Sequence, residues 1–166
     1  MSELPDFSPR ALLRELVDGG VDFVVVGGVA ALAHGSATFT QDLDISYAPD
    51  DDNLDRLGRV LVKLGARLRG VTDDVPFIPD GRSLRRTRVL TLETPLGPVD
   101  LLAQPDGAPV YAQLRERAVT EELAGVQVAV ASLDDLIAMK KAAGRPKDLV
   151  AVEELEAIRR LRRERG

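Results

Sequence analysis

The chain has no cysteine, no tryptophan and a single histidine among its 166 residues. Without cysteine there is no disulfide, no thiolate nucleophile and no cysteine-ligated zinc. A lone His34 also excludes a zinc centre built from several imidazoles. Aromatic residues make up only 4%, so the core must be built from Val, Leu, Ile and Ala. No run approaches the roughly 20 apolar residues that a membrane-spanning helix needs. The opening stretch MSELPDFSPRALLRELVDGG has acids throughout where a secretory leader would have an apolar segment, so a cytoplasmic location and no membrane partner are expected. Positive charge is in short supply: 22 Lys and Arg stand against 27 Asp and Glu, for a net charge of −5. The whole-chain balance therefore does not point to nucleic acid.

What cations there are come in bunches. GRSLRRTR carries Arg82, Arg85, Arg86 and Arg88, and IRRLRRERG carries Arg159, Arg160, Arg162, Arg163 and Arg165. These runs read either as solvated faces or as a local landing strip for a polyanion. Hydrophobic residues at 45% and charged residues at 30% fit one globular domain, which at this length buries roughly 70% of its unfolded surface.

A first helix is expected from about Ser8 to Asp18, with Ser8 as N-cap, Pro9 in the first turn and Gly19-Gly20 as the stop. VDFVVV reads as a buried strand. A short helix of small residues follows at about Val29 to Ala33, then a strand in DLDISYA. A helix from about Asp51 to Gly65 presents Leu54, Leu57, Val60, Leu61 and Leu64 on one face. The stretch from Arg67 to Gly81, with Pro76, Pro79 and Asp80-Gly81, reads as loop. TRVLTLET and GPVDLLA read as paired strands, PVYAQLRERA as a short helix, and VTEEL with VQVAVA as a hairpin around Gly125. Ser132 caps a helix that Gly144 ends, and a last helix runs from Lys147 to about Arg163. The expected fold is α/β (α+β): a mixed sheet flanked by helices, with a C-terminal helical hairpin. Residues 1–131 form the core and 132–166 a helical extension packed on it.

The chemistry is concentrated in VVVGGVAALAHGSATFTQDLDISY. A strand alternates its side chains, so Asp42 and Asp44 share one face. Two carboxylates that close are stable when exposed, when one is protonated, or when a cation bridges them. Mg²⁺ prefers such oxygen ligands and keeps positions for water or phosphate. Asp100 is the candidate third acid, since PVDLLA places it alone in another apolar strand. Gly27-Gly28 stand where a strand passes into a helix, which allows backbone N–H groups to approach an anion. Their other reading is a tight turn with close helix–strand packing. A phosphate cradle followed by paired carboxylates suits phosphoryl or nucleotidyl transfer.

On these residues the chain resembles the nucleotidyltransferase superfamily that includes DNA polymerase β. In G-G-x-A, then H-G, then T-x-D-L-D-I, it is similar to the minimal bacterial nucleotidyltransferases of the abortive-infection and toxin–antitoxin type. The resemblance runs on to Asp100 and to KKAAGRPKDLVAVEEL. It implies a nucleotidyltransferase fold and transfer of a nucleoside monophosphate from an NTP to a hydroxyl acceptor. That acceptor would be an RNA 3′ end such as that of tRNA, a protein side chain, or a small molecule. The toxin-like pattern favours RNA or protein and implies a cognate antitoxin. By the same resemblance Gly27 and Gly28 hold the triphosphate, while Asp42, Asp44 and Asp100 bind Mg²⁺ or Mn²⁺ and carry catalysis. Lys140, Lys141, Arg145 and Lys147 are the cationic partners of the triphosphate or of the acids, although Lys140 and Lys141 also suit a helix C-terminus. His34 is expected to be structural, Thr40 to order the loop before Asp42, and Asp148 to cap a helix or pair with a cation. Two positions depart from the pattern: Thr38 stands where relatives often have Arg, and Ala151 where they often have a second acid. A non-catalytic nucleotide- or partner-binding module is the alternative these departures suggest. Tyr47, Phe77 and Tyr111 are the candidates for stacking on a base.

Overall fold

The computed structural model describes residues 7–37, 39–71 and 79–166. Its elements in chain order are α1 (Pro9–Asp18), β1 (Phe23–Val26), α2 (Gly27–Ala33), β2 (Leu43–Tyr47), α3 (Asp51–Lys63), β3 (Arg67–Leu68), α4 (Gly81–Arg86), β4 (Val89–Thr94), β5 (Gly97–Leu102), α5 (Tyr111–Arg117), β6 (Val119–Leu123), β7 (Val126–Val130), α6 (Leu133–Ala143) and α7 (Pro146–Arg165). The strands form one mixed sheet in the order β3-β4-β5-β2-β1-β7-β6. β2 pairs antiparallel with β1 and parallel with β5, and β1 pairs parallel with β7. This is the α/β mixed sheet flanked by helices that the sequence predicts. Among the described residues no helix is long and apolar enough to cross a membrane.

Local chemistry explains most element ends. Ser8 accepts from the Ala11 N–H at the start of α1, and Pro9 occupies the first turn, where a missing N–H costs nothing. Asp50 caps α3 through the Asn53 N–H, and Ser132 caps α6 through the Asp135 N–H. Gly144 ends α6 in the left-handed conformation. The β6–β7 turn places both Ala124 and Gly125 at positive φ, as a two-residue hairpin turn requires.

Burial follows the sheet order. All four β1 residues are buried, as expected for a central strand covered on both faces. β5 alternates buried and half-buried positions, with Val99 and Leu101 in the core and Asp100 on the more open side. Leu12, Leu13 and Leu16 of α1 and Leu54, Leu57 and Leu61 of α3 supply much of the aliphatic filling. α2 packs against β1 and β2, α6 against α2, and α7 along α6. Asn53 is fully buried and ties strand ends together: it accepts from the Asp22 N–H at 2.7 Å and donates to the carbonyls of Asp22 and Ala48 at 3.0 and 2.9 Å.

Three expectations change. The helix after the double glycine starts at Gly27 itself rather than near Val29, because a glycine with φ +66 can make the turn within the helix's first residue. β2 begins at Leu43, so Asp42 stands just before the strand. Part of the supposed loop after Arg67 is structured. Arg67 and Leu68 pair with Glu93 and Leu92 at the sheet edge, and Asp80 with Ser83 forms a capping box that opens α4. A two-residue strand shows no periodicity to read, and the Asp-Gly pair read as a turn is the helix cap. Pro76 lies outside the described residues.

Candidate active site

The sheet order brings the acids together. Asp44 lies opposite Val26 on β1 and opposite Asp100 on β5, so it sits between the end of β1 and the third acid. Asp42, Asp44 and Asp100 are half-buried, and one carboxylate oxygen from each lies within 4.8 Å of the others. Like charges this close raise one another's pKa, and burial raises it further. The Asp44 carboxyl is pushed up to about 7, first by burial and then by the charges of Asp42 and Asp100, with Lys140 pulling the other way. Burial also pushes Asp100 up, against the pull of the Arg69 guanidinium. Asp44 Oδ1 is buried with no hydrogen-bond partner. An anionic oxygen left so is costly unless a cation or proton completes it. Three hard oxygen donors, one of them orphaned, fit a divalent ion such as Mg²⁺.

The double glycine is shaped around these acids. A Cβ on Gly27 would fall on the Asp44 carboxylate, 2.8 Å from its Cγ, and one on Gly28 would come within 2.7 Å of the Thr40 Cβ. Thr40 in turn donates to the Asp42 carbonyl at 3.2 Å, ordering the approach to the first acid as expected. Glycine at both places lets the backbone lie directly against the acid loop.

The cations arrive from the two C-terminal helices. Asp148 is almost fully buried at the start of α7, where it accepts from the Arg145 N–H and from its Nε at 2.6 Å. Lys140 Nζ lies 3.7 Å from its other oxygen. Burial opposes ionisation of Asp148, but Arg145 and Lys140 outweigh it and hold the carboxyl below its ordinary value. Asp148 is therefore both cap and ion-pair partner, fixing two cations beside the triad. Lys147 lines the same cavity as the three acids. Lys141 does not come to the cluster: its ammonium pairs with Glu156 on α7 at 2.9 Å. His34 is buried and structural, bonded through Nε2 to the Ala131 carbonyl at 2.8 Å and through Nδ1 to Arg162 at 2.9 Å.

Two cavities meet at the acids. One, of about 710 Å³, holds Gly28, Asp42, Asp44, Asp100 and Lys147, with Ala151 on its wall. The other, of about 490 Å³, has Gly27 and Asp44 at its base and Arg88, Gln104, Leu102 and Met139 around it. Asp44, Lys140, Arg145 and Asp148 border both. The two cavities thus adjoin at Asp44.

Two residues of the larger cavity escape a reading of the sequence. Arg69 binds Asp100 at 2.7 Å, yet it follows a strand too short to recognise. Phe39 is 81% exposed on the cavity wall; its only signal is that it stands alone between two motifs. Tyr47 is buried and Tyr111 donates its hydroxyl to Asp22, while Phe77 and Thr38 lie outside the described residues. The arginine runs are partly spent on internal contacts: Arg85 pairs with Asp51, Arg159 with Asp134, and Arg162 with His34.

Known structures share this architecture. The lincosamide antibiotic adenylyltransferase LnuA, solved with lincomycin bound, superposes with a TM-score of 0.62 over 92% of this chain and 99% of its own, at 13% identity. ANT(2″)-Ia, solved in complex with adenylyl-2″-tobramycin, gives 0.52 over 93% and 94% at 18% identity. An antigenic nucleotidyltransferase-like protein from Paracoccidioides brasiliensis gives 0.54 over 91% and 73% at 19% identity. At these identities the likeness is one of fold. No curated protein matches the chain by sequence. Residues 10–150, however, match the family model of the nucleotidyl transferase AbiEii toxin of type IV toxin–antitoxin systems. A match over that much of the sequence, on a fold that carries its acids side by side, makes the chain a member of the AbiEii nucleotidyltransferase family and a nucleotidyltransferase.

Proposed function

We propose that the chain moves a nucleoside monophosphate from an NTP to a hydroxyl of an RNA 3′ end or a protein side chain, in a divalent-metal-dependent reaction centred on Asp42, Asp44 and Asp100. The observation that carries this reading is the acid triad with its orphaned Asp44 oxygen, set between a glycine turn and a bank of cations. Mg²⁺ or Mn²⁺ held by the triad would neutralise phosphate charge and favour ionisation of the acceptor hydroxyl.

The residues divide the remaining work. Backbone N–H groups of Gly27 and Gly28 approach the triphosphate, and Lys140, Arg145 and Lys147 balance the charge that develops on it. Lys141, turned toward Glu156, takes no part. Asp100 accepts the acceptor's proton as the acceptor oxygen bonds to the α-phosphorus. The bond from that phosphorus to the bridging oxygen breaks, and pyrophosphate leaves with the electron pair. The family's toxin description supports a macromolecular acceptor and a cognate antitoxin as partner. Ala151, on the cavity wall where relatives often have an acid, is the feature that favours a merely binding role, and the clustered Asp42, Asp44 and Asp100 are the argument against it.

The test is to incubate the chain with each α-labelled NTP, Mg²⁺ or Mn²⁺, and either total tRNA or a protein extract. An Asp42→Ala/Asp44→Ala variant runs beside it. Label should pass to one acceptor class and vanish in the variant. Transfer that survives in the variant would sink the assignment of the site, and absence of both transfer and metal-dependent NTP binding would sink the reaction.

A further inference from the structure

Arg69 makes the one ion pair to a triad acid among the described residues. Its backbone N–H donates to the Thr91 carbonyl at 3.0 Å, which anchors it as the chain leaves β3. Its Nη2 donates both to the Leu92 carbonyl at 3.0 Å and to Asp100 Oδ1 at 2.7 Å. Arg69 is thus held by β4 on one side and grips the acid of β5 on the other. The pair is largely shielded, with side-chain exposures of 31% and 18%. The cations Lys140 and Arg145 are engaged by Asp148 instead.

This geometry has two opposed effects on cation binding. The guanidinium takes one lone pair of Asp100 Oδ1, which disfavours binding of a metal through both oxygens of this carboxylate. It also adds a positive charge beside the triad that repels a second cation. In return, a carboxylate with two rotatable bonds is fixed in one orientation. We propose that Arg69 is a positioning residue for the active site: it disfavours two-oxygen coordination by Asp100 and weakens cation binding at the triad, while holding Asp100 oriented for the reaction. The inference rests on the metal-dependent reading above and assigns the site a built-in cation.

The sign of the effect separates this role from a structural one. A merely structural arginine, once removed, would leave Asp100 disordered and metal binding weaker or unchanged. A restraining arginine, once removed, would leave metal binding tighter. The experiment is a titration of the full chain with Mn²⁺ alone, without nucleotide, followed by electron paramagnetic resonance of the free ion. Wild type, Arg69→Gln, Arg69→Lys and Asp42→Ala/Asp44→Ala are compared. Arg69→Met, which keeps the aliphatic stem, is the second neutral variant should Gln fail to fold. The neutral variants should bind Mn²⁺ roughly tenfold more tightly, given a unit charge a few ångströms away in a partly shielded site. Lys should return the affinity toward wild type. Turnover at saturating Mn²⁺ should nonetheless fall in the neutral variants, through kcat rather than KM for the NTP. Unchanged or weaker Mn²⁺ binding in a folded neutral variant overturns the proposal. Wild type that binds Mn²⁺ no better than Asp42→Ala/Asp44→Ala overturns the metal reading, and this one with it.

Discussion

Gly27 and Asp44 occupy space that only one of them can fill. With φ +66 at Gly27 and the Asp44 carboxylate standing where a Cβ would go, any side chain at position 27 must displace the acid or the turn. Gly27→Ala should therefore disorder Asp44 and lower nucleotidyl transfer by at least about a hundredfold. Its stability cost, from the positive φ and the overlap, should be on the order of 1–3 kcal/mol. Transfer assays with labelled NTP and urea unfolding would check both. Near-native activity would show that the backbone here does not need to lie against the acid.

The raised pKa of Asp44, about 7 against an ordinary 3.8, ties stability to pH and metal. Between these values the folded chain holds a proton that the unfolded chain has lost. Stability of the metal-free protein should thus fall as pH rises from about 4 to about 7, by a few kcal/mol at most because the acids titrate as a group. Above pH 7 the site is anionic and binds a cation without having to release that proton. Mg²⁺ should therefore raise Tm more at pH 8 than at pH 5.5, as thermal melts at the two pH values would show. An equal increment would argue against Mg²⁺ competing with that proton.

Asn53 is the buried polar hub of the fold, with three bonds to the backbone of residues 22 and 48. Asn53→Leu would leave the Asp22 N–H and the Ala48 carbonyl without their partner. The expected loss is about 2–4 kcal/mol, measured by urea denaturation. Since the hub lies away from the acids, residual folded protein should keep its affinity for NTP.

His34 has its tautomer fixed by its neighbours. The Ala131 carbonyl can only accept and the Arg162 guanidinium can only donate, so Nε2 must carry the proton and Nδ1 must be bare. Long-range ¹H–¹⁵N correlation spectra should show the neutral Nε2–H form. His34→Phe should strand the buried carbonyl and cost about 1–3 kcal/mol, and a bare Nε2 in the spectra would break the account.

The acids were readable because their signal is a contradiction: a charged residue in, or immediately before, an otherwise apolar strand. Asp42, Asp44 and Asp100 stand out for that reason, and the sheet places them side by side. The helices with strong punctuation were equally open to reading, as with Ser8 and Pro9 in α1 or Ser132 and Gly144 in α6. Lys140 and Lys141 show the limit. Adjacent residues on a helix differ by about 100° in direction, so one lysine reaches toward the acids and its neighbour reaches Glu156. Nothing in the sequence says which, because that depends on where α7 lies. Arg69 was hidden for a related reason: its importance comes from the edge pairing of β3 with β4, a tertiary fact with no local pattern.

The parallel pairing of β2 with β5 has a further consequence in time. Asp44 and Asp100 are far apart along the chain, and only this pairing sets them in register. The cations that complete the cluster come later still, from Lys140 to Lys147. A ribosome-bound chain that has made β1, α2 and β2 therefore carries the whole glycine–aspartate motif and none of the assembled site. Competence arrives late in synthesis, when the β4–β5 hairpin has docked and the start of α7 has emerged to meet it.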